Sequence, residues 1–256
     1  MTLELRDIVL SRRDKTILRG VTAAPFQRGE FIALAGPNGA GKSTLLRAIS
    51  QSLPYRGHAV LDGDDLARLG PLQRSDRVGY MPQNLPSHTD LTVLEGLLVA
   101  LHAGGRSGLG TAEKMARIEA LLDRFSIGYL AERPLSSLSG GQRQTVGLAQ
   151  SLVRDPGLLL LDEPTAALDL AMQFRILSEL RVLAREGRIV VAVLHDLSQA
   201  ARWADRIVLL QDGRIHSQGQ PDAVLTPDIL AQVYRICARV ERDSMGNLIT
   251  VVTGPA

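Results

Sequence analysis

Nine consecutive residues, 36–44 with the sequence GPNGAGKST, constrain this chain more than any other stretch. They match the pattern G-x-x-x-x-G-K-[ST] at every defined position. The apolar run at 31–35 before them suits a buried strand, and Leu45, Leu46 and Ile49 behind them share one face of a helix. A glycine-rich loop between a strand and a helix is the setting in which this pattern binds phosphate groups. The sequence therefore predicts a nucleotide-binding site here.

The glycines and polar side chains of this loop suit the phosphates of a nucleotide. Gly36, Gly39 and Gly41 permit positive φ angles and a close approach of the backbone, so that successive N–H groups can surround the phosphates. Lys42 adds a positive charge near the β and γ phosphates, and the hydroxyl of Ser43 suits a Mg²⁺ ligand. The residues that we expect to hold the nucleotide are Gly36, Pro37, Asn38, Gly39, Ala40, Gly41, Lys42, Ser43 and Thr44.

The composition bounds the class of protein. Of the 256 residues 45% are hydrophobic, which is enough for a sizeable buried core. The 29 Lys and Arg residues against 27 Asp and Glu leave a net charge of +2, which argues against wholesale wrapping of nucleic acid. Cys237 is the only cysteine, so a reducing compartment is indicated. Because we find neither a signal peptide nor an apolar stretch of roughly 20 residues, we expect a cytosolic chain.

Two adjacent carboxylates follow the apolar run at 158–161. In α/β folds ligands bind at the carboxyl ends of the strands, so these side chains are expected at the ligand-binding edge of a sheet. Two adjacent carboxylates lower the stability of a fold, so a functional role explains them better than a structural one. Asp162 suits a Mg²⁺ ligand, and Glu163 suits the activation of a water molecule.

Two more strand-like runs end in a polar residue in the same way. Gln83 follows the run at 78–82, which places its amide where it could reach the metal or the attacking water; the alternative is an ordinary loop amide. His195 follows the run at 188–194, and a lone histidine is more often structural. Since His195 is the third such strand end, we favour a functional role for it.

A second anion site is predicted at residues 138–142, directly before a helix whose apolar face uses Val146, Ala149 and Leu152. Ser139 suits the N-cap position, and two glycines at the start of a helix expose N–H donors. The residues of this segment are Leu138, Ser139, Gly140, Gly141 and Gln142.

The remaining pattern predicts an α/β fold in a single domain, residues 1–256. Alternation at 3–9 and 16–23 indicates an N-terminal antiparallel β layer, and a polar helix-like piece runs to Leu69. Helices at 91–101 and 112–125, separated by the glycine-rich run 104–110, indicate a helical insertion at about 85–156 in a core of 1–84 and 157–256. In the turn at 11–15, Arg12 could stack on a base, or the turn could simply be a solvated charged loop.

Taken together and in this order, GPNGAGKST, Gln83, LSGGQ, LLLLDEP, the downstream ALD and His195 resemble the ATP-binding-cassette (ABC) ATPases. The resemblance implies the ABC ATPase fold, a P-loop NTPase core with ATP and Mg²⁺ as cofactors, the metal being held by Ser43, Gln83 and Asp162. It also implies a head-to-tail homodimer in which the LSGGQ segment closes over ATP held by the second copy. In such a dimer Glu163 is the general base, His195 contacts the γ-phosphate and Asp169 links the two sites.

One position departs from the family's pattern. Members usually carry an aromatic residue that stacks on adenine about where this chain has Arg12. The guanidinium plane of Arg12 could take that place, which leaves the nucleotide selectivity open.

Over the length of the chain, the segment from VVAVLHDLSQAARWADRIVLL to the LTPDIL at 225–230 resembles cytosolic ATPase subunits of bacterial importers for iron-siderophore, haem or cobalamin. The resemblance implies two transmembrane permease subunits, bound through the groove between Gln83 and the helical insertion, and a periplasmic or lipid-anchored substrate-binding protein. No nucleic acid is expected, and the chain is placed at the cytoplasmic face of the inner membrane as a peripheral subunit.

Two alternatives stay open. The first is the motor of an exporter. The second is a soluble ABC-type ATPase in DNA repair or translation, which would be expected to carry tandem cassettes, a coiled-coil insertion or a long basic arm. The sequence shows none of these three features, so the transporter subunit is favoured.

Overall fold

The structure is a computed structural model that describes residues 1–13, 15–85, 90–103, 110–166 and 168–256. The chain divides into two compact units, and each is described by itself. Unit 1 consists of Met1–Arg68 and Leu180–Ala256, and unit 2 is Leu69–Glu179. The predicted bounds of a core and a helical insertion stay a prediction. Most of the glycine-rich run at 104–110 lies outside the described residues.

Strands and helices, joined by turns and loops, make up the described part of the chain. The strands are β1 (Thr2–Arg12), β2 (Lys15–Gln27), β3 (Phe31–Ala35), β4 (Arg56–Leu61), β5 (Asp64–Asp65), β6 (Val78–Met81), β7 (Leu158–Leu161), β8 (Ile189–Val193), β9 (Arg206–Gln211), β10 (Arg214–Gly219), β11 (Ile236–Arg242) and β12 (Leu248–Pro255). The helices are α1 (Lys42–Ile49), α2 (Pro71–Arg77), α3 (Val93–His102), α4 (Thr111–Arg124), α5 (Gly140–Leu152), α6 (Leu170–Arg185), α7 (Leu197–Trp203), α8 (Pro221–Val224) and α9 (Pro227–Tyr234).

Unit 1 begins with the antiparallel layer that the alternating N-terminal sequence predicts, and the predicted α/β class is confirmed. The strand order of this layer is β2-β1-β4-β5, and the side chains of Leu3, Leu5 and Ile8 are buried on its inner face. β2 runs on through Pro25 to Gln27, beyond the strand pieces predicted before the proline. Because β2 lies at the edge of the layer, the missing N–H of a proline there costs no ladder hydrogen bond.

Parallel strands form the second part of unit 1. β3 pairs in parallel with β8 on one side and with β9 on the other, and β10 pairs antiparallel with β9. All five residues of β3 are buried, as expected for a strand covered on both faces. In the register of this sheet Leu34 lies opposite Val193. The carboxyl ends of β3 and β8 therefore lie side by side; the phosphate loop begins at the residue after β3, and His195 lies two residues after the end of β8.

Two details of unit 1 differ from the sequence-based expectation. The predicted helix-like piece before Leu69 is wrong, because residues 64–65 pair with β4 and the following residues form turns, with Leu66 N–H donating to the Ala59 carbonyl at 2.8 Å. The C-terminal strand β12 pairs with β11, and the sequence pattern did not predict β11. The polar and charged residues of β11 alternate too weakly to separate it from a loop.

Unit 2 holds the two parallel strands β6 and β7 and the helices from α2 to α5, with the first residues of α6. The predicted helices at 91–101 and 112–125 correspond to α3 and α4. α3 begins with a capping box, in which the Thr92 hydroxyl accepts from Glu95 N–H while the Glu95 carboxylate accepts from Thr92 N–H. Within the described residues, no helix is long and apolar enough to cross a membrane.

Candidate functional site

The phosphate loop at 36–44 lies in unit 1 between β3 and α1, where its glycines are required by geometry. Gly36 has φ 140°, and a Cβ on it would lie 2.1 Å from the carbonyl oxygen of Leu210. Gly41 has φ 105°, and a Cβ there would lie 2.9 Å from a methyl group of Leu18. Only glycine fits either position without displacing its neighbours. The loop is therefore packed tightly against β9 and β2.

Lys42 is anchored on this loop by its own side chain. It is buried, and its Nζ donates to the carbonyl oxygens of Gly36 at 2.7 Å and Pro37 at 3.0 Å. Its ammonium group is therefore held against the loop. The N-cap of α1 is Gly41, which has no side chain to accept from the first-turn N–H groups. A helix N-terminus without a side-chain cap, beside a fixed cation, suits a bound phosphate.

A tyrosine from the last helix of unit 1 also reaches the phosphate loop, and sequence reasoning missed it. Burial raises the pKa of Tyr234 to about 12, while a hydrogen bond with the Gly36 backbone acts in the opposite direction. The phenol is therefore neutral at physiological pH. Its position follows from the packing of α9 (Pro227–Tyr234), and no local sequence signal gives that packing.

His195 and Arg12 are the other predicted site residues of unit 1. His195 is exposed and lies two residues after the end of the buried strand β8. The next residue is Asp196, whose carboxylate caps α7 by accepting from Ser198 and Gln199 N–H at 2.8 and 3.0 Å. The backbone on both sides of His195 is therefore fixed. Arg12 is exposed at the end of β1, opposite Lys15 in the register of the hairpin. The predicted roles of His195 and Arg12 stay predictions.

In unit 2 the structure brings Gln83 and Glu163 together. The side-chain amide of Gln83 donates to a carboxylate oxygen of Glu163 at 2.9 Å. Asp162 between β7 and Glu163 is completely buried, and its N–H donates to the carbonyl of Met81 at 2.9 Å. The carboxyl ends of β6 and β7 therefore place an amide and two carboxylates at one edge, as the strand ends before Gln83 and before Asp162 predict.

Glu163 has an unusual backbone conformation. Its φ is 55°, in the left-handed region that residues other than glycine, asparagine and aspartate rarely adopt. Such a conformation persists only when the surroundings determine it, and it is concentrated at functional sites.

The predicted second anion site lies at the start of α5. Ser139 is its N-cap, as predicted: the hydroxyl accepts from Gln142 N–H at 3.3 Å, and the Gln142 side chain accepts from Ser139 N–H at 3.0 Å. Leu138 is buried and anchors the turn, whereas Gly140 is exposed, with no atom within 4 Å of the position of a Cβ. The helix N-terminus is thus capped on one side and open at Gly140.

Gln144, one and a half turns further along α5, is a second residue that sequence reasoning missed. It is buried, with 8% of its surface exposed, and its side-chain N–H donates to the carbonyl oxygen of Glu163 at 2.8 Å. The available signal was a polar residue on the buried side of an apolar helix, four residues before Leu148. A buried amide needs a partner, and spacing alone does not say which one.

Asp169 lies at the start of α6, where its carboxylate accepts from Met172 N–H at 2.8 Å. The neighbouring Ala167 of the ALD motif lies outside the described residues. The predicted role of Asp169 in linking two nucleotide sites stays a prediction.

The donor chemistry of the predicted metal ligands fits Mg²⁺. Mg²⁺ prefers hard oxygen donors, and these residues offer a hydroxyl (Ser43), an amide (Gln83) and a carboxylate (Asp162). A protein-bound Mg²⁺ usually has few protein ligands, and phosphates and water complete its coordination. Within the part of the chain that the structure describes, no group of three His, Cys, Asp or Glu side chains forms a metal cluster.

Comparison with known sequences gives one family and a consistent group of relatives. Residues 22–166 match the family described as ABC transporter. The cobalamin import ATP-binding protein BtuD of Halobacterium salinarum is 37% identical over the whole chain, and the chain spans 64% of its length. The hemin import ATP-binding protein HmuV of Myxococcus xanthus is 39% identical, over 94% of this chain and 92% of the relative. The ferric enterobactin transport ATP-binding protein FepC of Escherichia coli is 37% identical, over 88% and 85%.

Comparison with solved structures supports the fold. A metal-chelate type ABC transporter in an inward-facing conformation superposes with a TM-score of 0.81 at 24% identity, covering 100% of this chain and 98% of that one. An identity this low shows the fold alone, and that fold is the predicted one.

Proposed function

We propose that this chain, which belongs to the family of ABC transporters, hydrolyses ATP and thereby powers a membrane importer. The observation that carries the proposal is the phosphate loop, where tightly packed glycines and a buried, doubly anchored Lys42 form a site for a triphosphate. The test is the release of phosphate from ATP by the purified chain. Hydrolysis that needs Mg²⁺ and stops on addition of EDTA supports the proposal, and absence of hydrolysis with added permease would overturn it.

ATP binding is assigned to the residues of unit 1. The loop N–H groups and the N-terminus of α1 hold the phosphate oxygens, and the Lys42 ammonium places its charge near the β and γ phosphates. Mg²⁺ would be held by Ser43, Gln83 and Asp162, where it neutralises phosphate charge. His195 contacts the γ-phosphate.

Hydrolysis is assigned to Glu163. Its carboxylate accepts a proton from the water that attacks the γ-phosphorus, and the products are ADP and inorganic phosphate. Gln83 donates to one carboxylate oxygen of Glu163 at 2.9 Å, which limits the orientations that the carboxylate can take. This hydrogen bond and the fixed φ of Glu163 support the assignment, since a general base must be positioned before it can act.

Two copies of the chain are proposed to form a head-to-tail dimer with ATP at both sites. The open helix start at Gly140, next to the capping Ser139, supplies N–H donors for the γ-phosphate of ATP held by the opposing copy. Leu138 and Gln142 hold this turn in place, and Asp169 is proposed to link the two sites.

The cargo class is proposed from the relatives, whose names specify import of cobalamin, import of hemin and transport of ferric enterobactin. A metal chelate or tetrapyrrole of this kind is therefore the proposed cargo. The proposed partners are two permease subunits and a substrate-binding protein, with the chain at the cytoplasmic face of the membrane and no nucleic acid bound. Reconstitution with a permease in vesicles tests this, because ATP-driven uptake of one of these three cargo types is expected and DNA-stimulated hydrolysis is not.

Replacing Ser139 by arginine is expected to block dimer closure while each chain still binds nucleotide on its own phosphate loop. The long cationic side chain would fill the open start of α5 and remove the cap, whereas the phosphate loop lies elsewhere in the sequence and is unchanged. Nucleotide affinity and ATP-driven dimerisation are measured in the same sample. Loss of both properties together would indicate a misfolded chain and not a blocked interface.

Replacing Arg12 by alanine is expected to raise the Michaelis constant for ATP modestly, because guanidinium stacking on a base contributes about 0.5 to 2 kcal/mol. Such stacking tolerates any base, so GTP should compete nearly as well as ATP. Arg12→Tyr should restore or improve the use of ATP. A strong preference for ATP that survives Arg12→Ala would point to another adenine contact.

A further inference from the structure

The main chain at Glu163 is held by a hydrogen bond from a different element of unit 2. The buried side-chain amide of Gln144 donates to the Glu163 carbonyl oxygen at 2.8 Å, and Ala166 N–H donates to the same oxygen at 3.1 Å. A carbonyl with two donors in a partly buried setting is strongly fixed in direction. Since φ at Glu163 is 55°, this fixed carbonyl belongs to a residue in an unfavourable conformation that needs support.

The same residue is held at its other end by a different amide. Gln83 donates to the Glu163 carboxylate at 2.9 Å, so one glutamine contacts the side chain and the other contacts the main chain. The direction in which a side chain leaves the backbone depends on φ and ψ, so the main-chain contact also sets where the carboxylate can reach. Without the Gln144 contact, the Glu163 backbone has a lower-energy conformation available in the ordinary φ range.

We propose that Gln144 is a positioning residue for ATP hydrolysis, which holds the backbone of Glu163 in the left-handed conformation that aims its carboxylate at the attacking water. This inference rests on the proposed role of Glu163 as the general base. Gln144 is proposed to contact neither nucleotide nor attacking water and to act only through Glu163.

Helix α5 gives this contact a second consequence. Gln144 lies five residues after Ser139, a rise of about 7.5 Å along a helix. The turn between them is rigid, because the capping box closes its start and the Thr145 hydroxyl donates to the Gly141 carbonyl at 3.0 Å. A phosphate bound at Ser139, from ATP held by the opposing copy, would therefore contact the same helix that holds the backbone of Glu163 through Gln144. Closure of one site of the dimer and alignment of the base at the other site are thus linked through Gln144.

The test replaces Gln144 by methionine, which has nearly the same length and flexibility but no N–H donor. The turnover number should fall by about 10-fold to 100-fold, since small displacements of a catalytic group have effects of this size. The Michaelis constant for ATP and the affinity for ATP should stay within about two-fold of wild type, because the lost contact acts on the chemical step. Gln150→Met, the same change six residues later on α5, is the matched control and should hydrolyse ATP normally.

A double-mutant cycle separates positioning of the base from a general structural role. In the background of Glu163→Gln, which lacks the base, Gln144→Met should cause no further loss in single-turnover hydrolysis. If the two losses multiply instead, Gln144 does not act through Glu163 and the proposal is overturned. Gln144→Asn keeps the amide on a shorter side chain that cannot reach the carbonyl, and it should behave like Gln144→Met. It provides the test if the methionine variant does not fold, as judged by ATP affinity.

The outcomes also distinguish this proposal from the proposed function. If Glu163→Gln hydrolyses ATP at the wild-type rate, Glu163 is not the base, and the proposed role of Gln144 is overturned as well. If Glu163→Gln is slow but Gln144→Met turns over as fast as the Gln150→Met control, only the positioning role of Gln144 is overturned.

Discussion

Replacing Glu163 by glutamine should lower the rate of ATP hydrolysis by a factor of about 10² to 10⁴, the usual contribution of a general base. The amide has nearly the shape of the carboxylate but cannot accept a proton from water. The Gln83 amide and the Gln144 amide, which contact Glu163 in the structure, can still contact the side chain and the main chain of the variant. The loss should therefore report the chemistry and not a rearranged site.

ATP binding should survive this change and is expected to strengthen, because one negative charge near the triphosphate is removed. ATP then binds, closes the dimer and remains uncleaved. On size exclusion the variant with ATP should elute as a dimer where the wild type is mainly monomer, and ADP should not produce the shift. Hydrolysis within a few-fold of wild type would show that Glu163 is not the base and that Gln83 or His195 carries more of the chemistry.

Replacing Lys42 by alanine should abolish hydrolysis mainly by weakening ATP binding. Hydrogen bonds to charged groups contribute about 1.5 to 3 kcal/mol each, so loss of a cation shared by two phosphates should lower the affinity about 100-fold or more. Nucleotide affinity and turnover are measured together. Lys114→Ala, which removes a lysine of α4 in unit 2, is the matched control and should change neither quantity. Unchanged affinity and turnover in Lys42→Ala would remove the phosphate loop from the mechanism.

The parts of the fold that the sequence predicted well are those with a local physical cause. The loop at 36–44, the cap at Ser139 and the buried strands before Glu163 and His195 each follow from residues within a few positions of one another. Glycine geometry, side-chain capping and continuous apolar runs act at short range, so they can be read without knowing the tertiary structure.

The features that were missed depend on contacts distant in the sequence. β11 is a strand because β12 pairs with it, and β2 continues through Pro25 because it lies at the edge of its layer. Gln144 reaches the backbone of Glu163 from a helix 19 residues away in the sequence. Tyr234 reaches the backbone of Gly36 from a helix about 200 residues away. No pattern within either helix indicates its partner, so these contacts could be found only in the structure.

In the proposed dimer each ATP is held by the phosphate loop of one copy and by the LSGGQ segment of the other. Mixing Lys42→Ala chains with Ser139→Arg chains tests it directly. About half of the dimers in an equal mixture combine one chain of each kind, and by symmetry each of these has one site with both changes and one site with neither. Single-turnover hydrolysis by the mixture should therefore rise well above the sum of the two variants measured separately. A rate equal to that sum would contradict the account, because it would mean that each chain hydrolyses ATP with its own loop and its own LSGGQ segment.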